Sequence, residues 1–197
     1  MHDPRDAARS HLRAHTSDIH ARLETLPVFE PILARRAGWG DYRRLLGAYH
    51  DFYTSAWQNL EVGYRELARV GPGVPPRQPL ALLDEDLRSV GARARSVRPG
   101  AGASATPAQA VGWVWVAEGS ALGGVVIDRA LDSLFGARRE GRRFFEPVST
   151  SGLRWRAVCA SIEILGNTKE ALGSMTEGAR DAFGCIERSL LNAKDDA

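Results

Sequence analysis

Apolar residues recur along this chain at three- and four-residue steps almost from end to end, the period of amphipathic helices. Leu12, Thr16, Ile19, Leu23 and Leu26 fall on one face of a first helix. Asp3-Pro4 is its predicted start and Pro27 its stop. Pro31 sits in a short second segment through Arg36, and Gly38-Trp39-Gly40-Asp41 is a break in which Asp41 suits an N-cap. The clearest amphipathic helix follows, with Tyr42, Leu45, Leu46, Tyr49, Phe52, Tyr53, Trp57 and Leu60 on one stripe, and runs to about Val70. Gly71 to Pro79 is rich in Pro and Gly and reads as a loop. The pattern then predicts a helix over 80–97, a second flexible loop over 98–107, and a Gly-rich helix over 108–135. A basic, irregular stretch covers 136–150, and two helices close the chain over 151–165 and 168–191. In the last, Leu172, Met175, Ala179, Ala182, Phe183, Ile186 and Leu190 form the core stripe. Strand alternation is nearly absent. The expected architecture is all-α, a single domain over 1–197 with six to eight helices.

One segment breaks the helical economy. Glu118-Gly119-Ser120-Ala121-Leu122-Gly123-Gly124 lies inside an apolar run beginning near Val111. Each glycine in a helix interior costs about 1 kcal/mol relative to alanine, so Gly119, Gly123 and Gly124 together cost roughly 3 kcal/mol. That is a large share of a typical domain's stability. Three physical reasons would justify it: a kink, close packing of helices, or a flat ligand lying directly on the backbone. Gly119 and Gly123 are one turn apart, and all three reasons accept that spacing.

Composition removes several classes of function. The 197 residues are 44% hydrophobic and 25% charged, with a net charge of +2, and the arginines are scattered, so nothing points to nucleic acid. Cys159 and Cys185 have neither metal-ligand spacing nor the density of a disulfide framework, and they fit structural thiols in a reducing cytoplasm. The polar start, Met1 to Arg13, is unlike a secretory signal, and the tail Asn192 to Ala197 offers no anchor. The pattern leaves no uninterrupted apolar stretch of the roughly 20 residues that a membrane span needs.

The first helix carries His11, His15 and His20, with His20 and His15 on opposite flanks of the apolar face. Most such histidines are boundary residues. His20 has company: Glu24 stands one turn on, within reach of a ring N–H, the arrangement that orients a metal-ligating imidazole. Arg13 shares that flank two turns back, roughly 10 Å along the axis. An imidazole, a carboxylate behind it and a cation beside it are the minimum for holding haem by its iron and a propionate. His50 reads as a boundary histidine, Trp113 and Trp115 as core residues.

The segment Leu12-Arg13-Ala14-His15-Thr16-Ser17-Asp18-Ile19-His20-Ala21-Arg22-Leu23-Glu24 resembles the first helix of the haem oxygenases, and Glu118 to Gly124 resembles their distal helix. Tyr42-Arg-Arg-Leu-Leu with Phe52-Tyr53, Gly152-Leu-Arg-Trp-Arg156, and Ala179 with Phe183 are similar to soluble bacterial members. The resemblance implies a helical bundle with haem between a proximal helix and a kinked, Gly-rich distal helix. It implies that His20 ligates the iron, Glu24 supports it, and Arg13 takes the place of a propionate-binding lysine. Gly119, Ser120, Gly123 and Gly124 would form the distal face. Arg154 and Arg156, with Arg142 and Arg143 behind them, are candidates for the second propionate.

The activity implied is O2- and electron-dependent cleavage of haem at a meso carbon to biliverdin, CO and ferrous iron. Haem is then both substrate and prosthetic group. Electrons must come from a ferredoxin or flavoprotein reductase, since the chain has no Gly-rich nucleotide fingerprint after a strand and no cysteine cluster. The likeness to members that work beside bilin-binding photoreceptors adds such a receptor as a partner. Two departures stand out: Ser120 replaces an aspartate that organises distal waters, and Val114 replaces a propionate-contacting tyrosine. They are the support for a competing reading, a haem-binding or transfer protein without turnover on the same scaffold. A thiamine-degrading thiol enzyme would need a cysteine among carboxylates. A di-iron oxidase would need a Glu-x-x-His pair, which the sequence lacks.

Overall fold

The structure is a computed structural model that describes residues 7–71, 74–95, 105–146 and 151–193. The start expected at Asp3-Pro4, most of the second loop, residues 147–150 and the last four residues lie outside the described residues. Among the described residues there are eight helices and no strand: α1 (Ala7–Glu24), α2 (Glu30–Leu33), α3 (Trp39–Val70), α4 (Pro79–Ser89), α5 (Pro107–Ala130), α6 (Asp132–Phe135), α7 (Ser151–Leu165) and α8 (Lys169–Leu191). The all-α bundle expected from the periodicity is therefore what the chain forms.

The apolar stripes are the buried ones. Leu12, Thr16, Ile19 and Leu23 of α1 are buried, as are Tyr42, Leu45, Leu46, Tyr49, Phe52, Tyr53 and Leu60 of α3. In α8 the stripe from Met175 to Leu190 is buried, with Leu172 partly so. α5 is the central helix: it packs on α8, α3 and α7, while α1 packs on α8 and α7. Three glycines make this close approach possible. A Cβ on Gly63 would lie 2.3 Å from the Ala110 carbonyl oxygen, one on Gly112 2.1 Å from that of Met175, and one on Gly178 2.0 Å from that of Gln109.

Several boundaries differ from expectation, each for a local reason. α3 begins at Trp39 with Gly38 as its N-cap, and Asp41 is the third helical residue, accepting the Gly38 N–H at 2.9 Å. α4 stops at Ser89 because Gly91 turns left-handed (φ 75°) and the Ala92 N–H returns to the Leu87 carbonyl at 2.9 Å, closing the helix end. The expected helix over 108–135 divides into α5 and the single turn of α6, which Gly136 ends at φ 58°. α5 starts on Thr106, whose side chain caps the Gln109 N–H, and it runs unbroken through its glycines. α5 also corrects the reading that no apolar stretch is long enough to cross a membrane: by length and composition it is. More than half of its apolar stretch is buried inside the molecule, as befits the core helix of a bundle.

Candidate haem site

His20 stands on the outer face of α1, its side chain 59% exposed, with Nδ1 3.5 Å from a Glu24 carboxylate oxygen. That contact leaves Nε2 as the nitrogen for a ligand. Arg13 lies on the same stripe and is exposed. The other two described histidines of α1 are engaged with each other: the rings of His11 and His15 stack at 3.8 Å, and His15 Nδ1 meets the His11 carbonyl oxygen at 2.9 Å. Burial, with His15 beside it, holds the His11 imidazole below its ordinary pKa.

Phe183 of α8 ties His20 to the Gly-rich helix. Its ring centroid lies 6.0 Å from that of His20 and 6.2 Å from that of Trp115, edge-on in both cases. The imidazole and the indole are therefore at most about 12 Å apart, the sum of those separations. Trp115 begins a stripe on α5 that continues through Gly119, Leu122, Gly123 and Val126 at helical spacing. Leu122 is 42% exposed and Val126 59%. The helices bearing the two stripes both pack on α8, whose Phe183 meets His20 on one side and Trp115 on the other, and the space between the stripes is the candidate groove.

The glycines of this groove differ from those of the core. A Cβ on Gly123 would meet nothing within 4 Å. One on Gly119 would touch only the Trp155 ring at 3.5 Å, and one on Gly124 the Phe145 carbonyl oxygen at 3.7 Å, both ordinary contacts. Helix packing thus explains Gly63, Gly112 and Gly178 and leaves Gly119, Gly123 and Gly124 without a cause inside the protein. Trp115 adds a second unmet demand, since its indole N–H is buried with no hydrogen-bond partner. These features fit a flat ligand laid on the α5 backbone. Gly123→Ala should therefore stabilise the ligand-free protein by about 1 kcal/mol, raising Tm by roughly 2–4 °C. Gly112→Ala should destabilise it by about 1–3 kcal/mol through overpacking. Thermal melts of both variants check the contrast.

Behind the groove, Glu118 is a hub that the sequence did not single out. It is 2% exposed. Its carboxylate accepts from the Tyr64 hydroxyl, from Arg77 Nε at 3.1 Å, and from Arg154 Nε at 2.8 Å and Nη2 at 2.5 Å. Burial pushes this carboxyl up, but the hydrogen bonds from Arg154 and Tyr64 and the charges of Arg154 and Arg77 outweigh it and hold the pKa below the ordinary value. Arg154 is thus committed to Glu118, and its guanidinium lies 5.6 Å from the Tyr64 ring centroid. Arg156 is exposed. Arg142, suggested as a cation behind the site, is instead buried, reaching Asp132 at 2.8 Å and the Asp128 carbonyl at 3.2 Å. Arg143 pairs with Glu85 at 2.8 Å. A buried arginine needs a carboxylate, and the sequence pattern did not reveal which ones fold beside it.

Adjoining Ser120 and Gly124 is a cavity of about 240 Å³ lined by Tyr49, Tyr53, Arg77, Phe144, Glu146 and Arg154, among others. Tyr53 is buried in this wall, and burial pushes its pKa up to about 12. The Ser120 hydroxyl donates to the Ala117 carbonyl at 2.9 Å. Asp86 shapes the far wall by accepting the backbone N–H groups of Arg143 at 3.0 Å and Phe144 at 2.8 Å. His50, expected at the boundary of the apolar face, is buried, with its Nε2 3.2 Å from Asp84. Both cysteines are buried, and neither is in a disulfide. No group of three or more His, Cys, Asp or Glu able to hold a metal occurs among the described residues.

No protein-family model matches the chain. Haem oxygenase PigA of Pseudomonas aeruginosa is 29% identical over 194 residues, covering 90% of this chain and 91% of that protein. The NO- and CO-bound haem oxygenase of Neisseria meningitidis superposes with a TM-score of 0.76 at 21% identity, over 95% of both chains. Haem oxygenase-1 of the cyanobacterium Synechocystis, solved in complex with haem, gives 0.71 at 16% identity, over 93% of this chain and 90% of that one. The chain therefore has the all-α fold of the haem oxygenase structures, and its likeness to a haem oxygenase sequence runs along nearly its whole length.

Proposed function

We propose that the protein binds haem in the groove between α1 and α5 and degrades it oxidatively to biliverdin, CO and ferrous iron. The observation that carries this reading is the set of glycines, Gly119, Gly123 and Gly124, that no contact within the protein requires, on a helix facing a carboxylate-backed histidine. Haem would supply the iron that takes up O2 and, as substrate, the porphyrin ring that is opened.

The chain's own residues do the rest. His20 is the iron ligand through Nε2, and Glu24 fixes its tautomer and raises its basicity. Arg13 neutralises one propionate, and Arg156, exposed beside the groove-bordering turn of α7, is the second cation. Arg154 acts through Glu118, on the position of α5. Gly119 and Gly123 bring peptide groups close to the ring without a side chain that would crowd O2. The cavity beside Ser120 has Arg77, Glu146 and Arg154 in an otherwise largely apolar wall and is roomy enough for several waters, each occupying about 30 Å³ in the liquid. Tyr53 stays protonated at physiological pH and can hold such waters, with Arg77 and Arg154 orienting them. Proton delivery would run through this cavity, in place of the aspartate that Ser120 replaces. Electrons would come from a separate ferredoxin or flavoprotein reductase in the cytoplasm, and the bilin product suits a bilin-binding photoreceptor.

Hemin titration tests the binding half of the reading. Absorbance should saturate at one hemin per chain. Gly123→Leu, which places a side chain in the open part of the groove, should keep its helical circular dichroism and lose saturable binding. Full binding by that variant would remove the groove as the site.

A further inference from the structure

The distal glycines are not equally open. Around Gly123 there is free space, whereas Gly119 is covered by one aromatic ring: a Cβ there would lie 3.5 Å from Cη2 and 3.7 Å from Cζ3 of Trp155. The neighbouring Arg154 anchors that ring. Its guanidinium grips Glu118 through two nitrogens, at 2.8 Å and 2.5 Å. Glu118 in turn is held by Tyr64 from α3 and by Arg77. Two parallel N–H···O bonds to a buried carboxylate fix orientation as well as distance. The start of α7 is therefore clamped to α5 at Glu118-Gly119, with the edge of the indole against the glycine. An indole has only two side-chain torsions and loses little freedom in serving as a rigid surface.

Resting on the haem reading, we propose that Trp155 is a specificity-determining residue: its ring closes the Gly119 end of the groove, so that the macrocycle lies toward Gly123 in one in-plane placement. The two faces of protoporphyrin present nearly the same outline, because its methyl and vinyl groups differ little in size. A groove open at both ends would therefore accept more than one placement. A wall contact of this aromatic kind biases such an equilibrium by up to about tenfold. Through that bias Trp155 would also decide which meso carbon lies at the Gly119 end of the groove.

The test is proton NMR of the full chain loaded with hemin and cyanide, in which each haem placement gives its own set of shifted methyl lines. The unaltered protein should show one dominant set. Trp155→Ala should show a second set, with the ratio between them falling up to about tenfold, and Trp155→Phe should keep one. Trp155→Leu, which keeps apolar burial without the plane of the ring, carries the same test with its fold checked first by circular dichroism. One unchanged set in both the Ala and Leu variants would overturn the proposal, as would Phe behaving like Ala. Failure of the unaltered protein to take up hemin would overturn the haem reading and this proposal with it. Normal uptake with unchanged line sets overturns the role of Trp155 alone.

Discussion

Glu118→Ala costs the protein about 3–5 kcal/mol of stability, the range for removing one partner of a buried ion pair. The loss follows from what is left behind. Arg154 and Arg77 keep their charges at 15% and 27% side-chain exposure with no carboxylate between them, and the Tyr64 hydroxyl loses its acceptor. A domain stable by 5–15 kcal/mol is brought near its limit by such a change. Urea denaturation at pH 7 measures it as a fall in midpoint. Glu187→Ala is the control. Its partner Arg22 makes two contacts, at 2.5 Å and 3.0 Å, but that arginine is half-exposed and the pair is worth about 1 kcal/mol or less. Equal losses at the two positions would show that Glu118 is no hub.

The same group gives the stability a pH dependence. The Glu118 carboxyl titrates lower in the folded protein than in the unfolded chain. Its contribution is therefore present above the unfolded glutamate value, about 4.3, and is lost as the pH falls through the folded value below that. The gap in stability between the unaltered protein and Glu118→Gln should narrow on acidification below about pH 4, rather than widen.

His20→Ala should leave the fold nearly untouched, within about 0.5 kcal/mol, because the side chain is mostly exposed. Its effect on bound haem should be large. The Soret band should move, turnover should be lost, and added imidazole should restore the original spectrum by filling the vacated place. Glu24→Gln, which keeps the size of the carboxylate and removes its charge, should cost about 10–100-fold in affinity or rate, as supporting groups behind a metal ligand do. An unchanged spectrum in His20→Ala would place the iron elsewhere.

The sequence revealed the bundle because its buried stripes keep strict helical spacing, from Leu12 to Leu23 and from Met175 to Leu190. His20 with Glu24 and the glycines of α5 were legible for a similar reason: each signal lies within one helix. What joins helices was not legible. Nothing in the local pattern says that Glu118 meets Tyr64, Arg77 and Arg154, residues 54, 41 and 36 positions away. For the same reason Arg142 read as a candidate propionate cation although it is buried against Asp128 and Asp132. The glycine pattern alone could not separate packing from ligand contact. Gly112 and Gly119 look alike in sequence, and only the neighbouring helix shows that the first is forced by Met175 while the second is not.

The measurement that tests the central claim most directly is a single-turnover absorbance experiment, with one equivalent of hemin bound and ascorbate or a ferredoxin-reductase pair added under air. The account predicts loss of the Soret band and growth of a broad red biliverdin band, with CO released in step. A Soret band that persists under every reductant would contradict it and leave a protein that carries haem without degrading it.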